Sequence, residues 1–375
     1  MAGLPAPVNY DFDVLVIGAG VIGLVTAREL ASRGRSVLLA EREDTFGQHT
    51  SSRNTGVIHA GVYYEPGTLK ARLCLDGRQR LFEYCRSRNV PHGKIGKLFI
   101  ATCEEALPGL DKILDRAGAN GIDGCSKVSQ GEISKREPAI KALEGVFCPH
   151  TGIVDTHQYM LSLLADCEAA GVVFSGRTEV VDAEPEDGGW SMCIRSDGDN
   201  RVRVGTIVNA AGLSGLELAK RVFPKRELPD AAPSKGAFVR LLGKSPVSCA
   251  IYPDLNPGVI LPRVDATPGL DGICRFGPAS DPAESPADYS CPDGLIDRQI
   301  DMIRRYLPDI RKEDLALDFV GVRPKVAVPP RTAADFRFDW ANGRNWLDLI
   351  NMESPGLTAS LAISTHVGDL LDQRT

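Results

Sequence analysis

What this chain lacks narrows it first. Its ten cysteines, at positions 74, 85, 103, 125, 148, 167, 193, 249, 274 and 291, contain no C-x-x-C pair. That excludes a zinc ribbon, a thioredoxin-like motif and a disulfide scaffold, and it favours reduced thiols in an intracellular compartment. His49, His92, His150, His157 and His366 lack metal-ligand spacing, so no metal site is expected. Met1 to Tyr10 has neither a positive n-region nor an apolar h-region, and it lacks the arginines of a transit peptide. The longest nearly apolar run, Val14 to Ala27, is fourteen residues against about twenty for a membrane span, so no transmembrane segment is expected. Together these absences predict a cytoplasmic protein. A net charge of −6 gives no reason to expect nucleic acid or an anionic membrane as partner, so any anion site must be built from local arginines and lysines. Repeats and low-complexity tracts are absent as well.

What is present begins with V-L-V-I-G-A-G-V-I-G from Val14 to Gly23. Val14 to Ile17 reads as a strand buried on both faces of a parallel sheet. Gly18 permits the tight turn, Gly20 lets the backbone approach a pyrophosphate, and Gly23 lets the helix pack near the strand. The helix N-terminus then meets the anion. Its apolar side is Val21, Leu24, Val25, Ala27 and Leu30, and Gly34 closes it. A second buried strand, Ser36 to Ala40, ends at Glu41, placed for ribose hydroxyls and repulsive to a 2′-phosphate. Strand, helix, strand and acid are in the order a dinucleotide-binding βαβ unit requires. With 375 residues, 43% hydrophobic and 25% charged, the chain is long enough for two domains with their own cores.

Downstream, helices are expected over Leu69 to Arg88, over Leu107 to Ala117 closed by Gly118, and over His157 to Ala170 closed by Gly171. Strands are expected at Gly96 to Thr102, Val172 to Ser175, Trp190 to Arg195 and Arg201 to Val208, the last running into V-N-A-A-G. From Pro233 to about Pro329, short β-like runs punctuated by Pro and Gly predict a mainly antiparallel second domain: Ala237 to Leu242, Ala250 to Tyr252, Gly258 to Leu261 and Gly272 to Phe276. Pro278 to Asp293 reads as a mobile surface loop. Trp346 to Ile350 as strand, Ser354 to Leu357 as turn and Thr358 to Leu371 as helix return to the first pattern. The expected fold class is α/β, α+β overall: a Rossmann-like nucleotide domain assembled from 11–90, 151–232 and 318–375, and a substrate domain from 91–150 and 233–317.

These residues resemble the FAD-dependent oxidoreductases typified by D-amino-acid oxidase, and within them the L-2-hydroxyglutarate dehydrogenases and oxidases. The resemblance is carried by S-S-R-N-T-G-V-I-H-A-G-V-Y-Y at 51–64, P-G-T-L-K-A-R-L-C at 66–74, G-K-L at 96–98, T-G-I-V-D at 151–155 and N-A-A-G at 209–212. It continues through I-Y-P at 251–253, R-F-G-P at 275–278, R-P-K at 323–325 and E-S-P-G-L-T-A-S-L at 353–361. It implies FAD rather than NAD. Ala279 to Gly294 and Ala327 to Asn345 depart from the family's usual sequence, which leaves substrate preference open.

A flavin that oxidises an alcohol or amine needs a C–H aimed at its N5, a base for the departing proton and an anchor for the substrate carboxylate. His59, in a loop bracketed by Gly56 and Gly61, is the candidate base. The alternatives for it are a covalent flavin link, as at the matching position of more distant relatives, or a hydrogen-bonded core position. Arg275, Arg323 and Lys325 are candidate carboxylate anchors, the last two expected on one face of an extended segment. Each has a surface charge or interdomain ion pair as its alternative. Tyr252 is a candidate substrate cover, and Tyr63 and Tyr64 are weaker ones. For the cofactor, Gly18, Gly20, Gly23, Glu41 and Arg42 serve the nucleotide end, with Gly212 on the adenosine side. Ser51, Ser52, Arg53, Asn54 and Thr55 supply donors to ribityl and pyrophosphate oxygens. Gly356, Leu357 and Thr358 open the final helix toward the N1–C2=O edge of reduced flavin.

The expected reaction is oxidation of a small L-2-hydroxy acid, with L-2-hydroxyglutarate implied by the resemblance. A small carboxylate is thus the expected partner, and the electron acceptor (oxygen, a quinone or an electron-transfer protein) is open. An amine or amino-acid oxidase of the same superfamily and a non-catalytic flavin-binding redox sensor are the competing readings.

Overall fold

A computed structural model of the chain describes residues 10–255, 263–329, 334–341, 343 and 345–374. The expected run Gly258 to Leu261 lies outside them. Among the described residues, none of the helices is long and apolar enough to cross a membrane.

The apolar strand Phe12–Ile17 lies at the centre of an eight-stranded sheet, flanked in parallel by Val37–Ala40 and Asp199–Asn209. Pairing sets Ile17 level with both Ala40 and Asn209. Three chain reversals therefore leave the sheet at one level: Gly18 donates to Ala40 O at 2.8 Å and Ala210 donates to Ile17 O at 3.0 Å. Trp346–Ile350 joins the same sheet beside Asp199–Asn209, so the C-terminal part of the chain closes the fold begun at the N-terminus. The helix Gly356–Asp372 then packs against Val21–Ser32 and Leu69–Ser87. Gly77 makes one of these contacts close, since a Cβ there would lie 2.6 Å from Ala359 Cα.

A second sheet of eight strands runs in the order Leu315–Arg323, Ser234–Leu241, Cys274–Pro282, Asp265–Pro268, Ala250–Pro253, Lys97–Ala101, Glu144–Cys148, Ser126–Ser129. Its pairings are antiparallel except the parallel pair Ala250–Pro253 and Lys97–Ala101. The helix Leu295–Arg304 covers it through Leu295, Ile300 and Ile303. A bulge between Ala237 and Val239 breaks the alternation. Phe238, at that bulge, stacks on Phe319 at 4.7 Å and reaches the central cavity.

Three local expectations need correcting. The helix Leu107–Ala119 runs through Gly118, and the left-handed turn that follows falls at Gly121, φ +69°. Residues 318–323, expected in the nucleotide half, are strand in the second sheet, where Arg323 pairs with Ser234. The segment Pro278 to Asp293 is held rather than loose. Its first residues extend the strand Cys274–Pro282, Asp288 is 2.9 Å from Lys235 Nζ, and Tyr289 Oη is 2.7 Å from His49 Nδ1. The contacts that hold it come from residues far away in sequence, so its Pro- and Ser-rich composition did not reveal them.

Candidate active site

Between the two sheets lies a cavity of about 510 Å³. It is reached by the carboxyl ends of Phe12–Ile17 and Val37–Ala40 from one side and by the second sheet from the other.

At the nucleotide end the glycines are where backbone has to come close. Gly18 has φ +94°. A Cβ on Gly23 would lie 1.7 Å from Gly18 O, and one on Gly20 would lie 2.9 Å from Ser51 Oγ. Gly23 thus acts through helix–strand packing and does not line the cavity, whereas Gly18 and Gly20 do. Glu41 lines the cavity with its carboxylate already oriented: Oε2 accepts from Ala19 N at 2.7 Å and Oε1 from Glu43 N at 3.0 Å. Arg42 and Gly212 line the same end.

The donor run behaves unevenly. Ser51, Arg53, Asn54 and Thr55 line the cavity. Ser51 Oγ accepts from Val21 N at 3.0 Å, and Asn54 Oδ1 accepts from Gly56 N at 2.9 Å. Arg53 lies over the Tyr289 ring at 4.1 Å, and its buried Nε has no hydrogen-bond partner. Ser52 is off the cavity wall and instead donates to His49 O at 3.3 Å. Of the final helix, Gly356 and Leu357 line the cavity. Thr358 is buried behind them: its Oγ1 accepts from His59 N at 2.9 Å, so it positions His59 and does not face the cavity.

His59 faces the cavity, with Nδ1 2.7 Å from Tyr63 Oη and Nε2 3.2 Å from Ser354 Oγ. The protein packed around the ring, helped by the charge of Lys97, holds its pKa well below the ordinary imidazole value. The ring is therefore neutral at pH 7. Tyr252 lines the cavity beside it.

Of the expected anchors only Arg323 lines the cavity, where its Nη1 donates to Ser280 Oγ at 3.1 Å. Burial lowers its pKa, but a guanidinium stays charged. Arg275 is turned away from the cavity, because Asp318 at 2.8 Å and Asp271 at 2.8 Å take its guanidinium. Lys325 also lies off the cavity wall. Its backbone N–H bonds to Arg323 O at 2.8 Å, a local turn that ends the strand alternation after Arg323.

Several wall residues were not among the candidates read from the sequence. Arg263 and Asp265 stand on the cavity wall, with Asp265 6% exposed and its Oδ1 without a hydrogen-bond partner. Their signal was the alternation R-V-D at 263–265, which puts both on one face of a short strand start. Glu353 also reaches the wall, already paired with Lys70 at 2.6 Å.

The glycine cradle, the oriented Glu41 carboxylate and the orphaned Arg53 Nε suit a dinucleotide with a polar chain between its ends. Comparison with known proteins agrees. A family profile described as "FAD dependent oxidoreductase" (DAO) matches residues 13–370. The chain is 32% identical over 401 residues to the "L-2-hydroxyglutarate dehydrogenase, mitochondrial" of Arabidopsis thaliana, covering 95% of this chain and 83% of that one. To the human protein of the same name it is 29% identical over 417 residues, covering 97% and 89%. Among solved structures, an L-α-glycerophosphate oxidase from Mycoplasma pneumoniae with FAD bound matches with TM-score 0.87 and 25% identity, covering 96% of this chain and 94% of that one. A glycine oxidase from Geobacillus kaustophilus shares the fold with TM-score 0.81 at 21% identity, covering 97% and 95%. The chain belongs to the FAD-dependent oxidoreductase family, and its cofactor is FAD.

Proposed function

We propose that this enzyme oxidises L-2-hydroxyglutarate to 2-oxoglutarate. The observation that carries this reading is one cavity wall holding a neutral histidine, His59, together with two guanidiniums, Arg263 and Arg323. Relatives named L-2-hydroxyglutarate dehydrogenase at 28–32% identity over most of the chain support the same substrate.

Bound FAD supplies a hydride acceptor at N5 for the hydrogen leaving the substrate Cα. The chain's own residues do the rest. Gly18, Gly20, Glu41, Arg42, Ser51, Arg53, Asn54, Thr55, Gly212, Gly356 and Leu357 would hold the cofactor. Arg323 and Arg263 bind carboxylates, the planar fork matching two oxygens at once. His59 takes the hydroxyl proton at Nε2. That role requires the Nδ1–H tautomer, in which Tyr63 Oη accepts and Nε2, 3.2 Å from Ser354 Oγ, carries the lone pair. Tyr252 covers the substrate and excludes water.

An amine oxidase is the second reading, favoured by one observation: the Asp265 carboxylate on the wall, whose Oδ1 accepts no hydrogen bond and lies 3.5 Å from Arg263 Nε, suits an ammonium. An anaerobic titration with L-2-hydroxyglutarate, D-2-hydroxyglutarate, L-lactate, sarcosine and several amino acids separates the two. Bleaching of oxidised flavin by the L-hydroxy diacid alone supports the proposal; bleaching by amines alone moves the enzyme to the second class. Bleaching by neither points to a sensor. We place the enzyme in the cytoplasm, whereas the relatives carry "mitochondrial" in their names; fractionation tests this.

A further inference from the structure

Lys97 stands opposite Ala250 in the second sheet and is 1% exposed. Its Nζ lies 3.5 Å from the centroid of the Tyr252 ring and 5.6 Å from that of Tyr63, two rings that line the cavity. Among the described residues its Nζ donates no hydrogen bond and has no acid within ion-pair distance. Water stabilises an ammonium strongly, so a buried one is costly unless another charge compensates.

The compensation inside the protein is incomplete. Around Tyr252 stand Lys97, Arg263 and Arg323, and the acid that opposes them is Asp265, 3.5 Å from Arg263 Nε. Glu353 also acts on Arg323, but it is paired with Lys70 at 2.6 Å, and the two together carry no net charge. With Lys97 protonated, three cations against one carboxylate leave a surplus of two positive charges, the complement of a dianion.

We propose that Lys97 is a specificity-determining residue, the third cation of the substrate pocket, which acts through Tyr252 to favour a substrate with two carboxylates over one with a single carboxylate. This rests on the hydroxy-diacid reading above and names the feature that selects the second charge.

Proton linkage follows from the same arrangement. Burial pushes the Lys97 ammonium down to about 7, against the pull of Asp265, Cys148 and Cys74 and with the push of Arg263. A dianion entering the pocket favours the charged ammonium and raises that pKa, so binding takes up a proton above pH 7 and weakens as pH rises. Two other groups near Lys97 need controls. His59 is neutral, and the Cys148 thiol is lowered by its hydrogen bond with Cys125.

The test uses the holoprotein with glutarate, a diacid that lacks the oxidisable hydroxyl, and butyrate, its monoacid counterpart. Calorimetry at pH 7.5 in two buffers of different ionisation enthalpy counts the protons. Glutarate should bring roughly 0.4 to 0.7 proton per site, and butyrate far less. Lys97→Met should abolish the uptake and cut the glutarate-over-butyrate preference on the order of tenfold or more. Lys97→Arg should keep the preference and lose the pH dependence, since arginine stays charged. Cys148→Ser should leave the uptake in place. Glutarate binding to the wild-type protein without proton uptake overturns the proposal, and this arm needs no variant. An unchanged preference in Lys97→Met overturns it too. If L-2-hydroxyglutarate still bleaches the flavin in either case, only the Lys97 role has failed. If glutarate does not bind and only amines bleach, the functional reading has failed and the Lys97 role falls with it.

Discussion

Tyr63 Oη lies 2.7 Å from His59 Nδ1, and the two rings meet edge to face at 5.7 Å. With Tyr63 Oη accepting from Nδ1–H, Nε2 is the imidazole nitrogen left for chemistry. Tyr63→Phe keeps the ring and removes the hydroxyl. We expect kcat to fall by about tenfold to a hundredfold with KM changed less than threefold, as for loss of one buried polar contact worth about 1–3 kcal/mol. A fall in KM affinity with kcat intact would instead place Tyr63 on the substrate.

His59 itself is tested by pH as well as by truncation. Its pKa is depressed by the surrounding protein, so the native ring stays neutral below the ordinary value near 6.5 while the unfolded chain takes up a proton there. Stability contributed by this site is therefore full above about pH 6.5 and lost as pH falls below it. The acid limb of kcat/KM should likewise lie below 6.5. His59→Ala should lower turnover by about 10²- to 10⁴-fold with flavin still bound. Near-normal turnover would remove its role as base, and an acid limb above 7 would contradict the depressed pKa.

Arg323 and Arg275 make a matched pair, since they lie on neighbouring parts of one sheet and only the first lines the cavity. Arg323→Ala should raise KM for the diacid on the order of ten- to a hundredfold with little change in melting temperature. Arg275→Ala should leave KM unchanged and cost about 1 kcal/mol of stability through Asp271 and Asp318. Steady-state kinetics and thermal melts on both variants decide it; exchanged phenotypes would reverse the assignment.

Gly23→Ala puts a Cβ against Gly18 O, with backbone on both sides of the clash. We expect a protein that expresses poorly or retains well under half of its FAD. Glu41→Ala should weaken FAD retention with substrate selectivity intact, because it frees the Ala19 and Glu43 N–H groups beside the nucleotide. The ratio of flavin to protein absorbance after gel filtration reads both, and full occupancy in either would contradict the role given to that residue.

The sequence by itself determined the nucleotide half. Glycine spacing, an apolar strand and an acid at the next strand's end are local patterns, and each has a single geometry that satisfies it. Gly18, Gly20, Gly23 and Glu41 were legible for that reason, as was the returning strand Trp346–Ile350. The helix Leu295–Arg304 that covers the second sheet was not among the expected elements, although Leu295, Ile296, Ile300 and Ile303 have helical spacing. Tertiary structure alone decided which cations serve the cavity. Arg275 was lost to two aspartates, one of them 43 residues away, and Lys325 to a local turn that broke strand alternation. Lys97 was drawn beneath Tyr252 by a parallel pairing of strands about 150 residues apart, and Thr358 was turned inward to hold His59 N across 299 residues. A charged side chain takes whichever partner the fold brings within reach, and long-range pairing, not residue type or spacing, selects that partner.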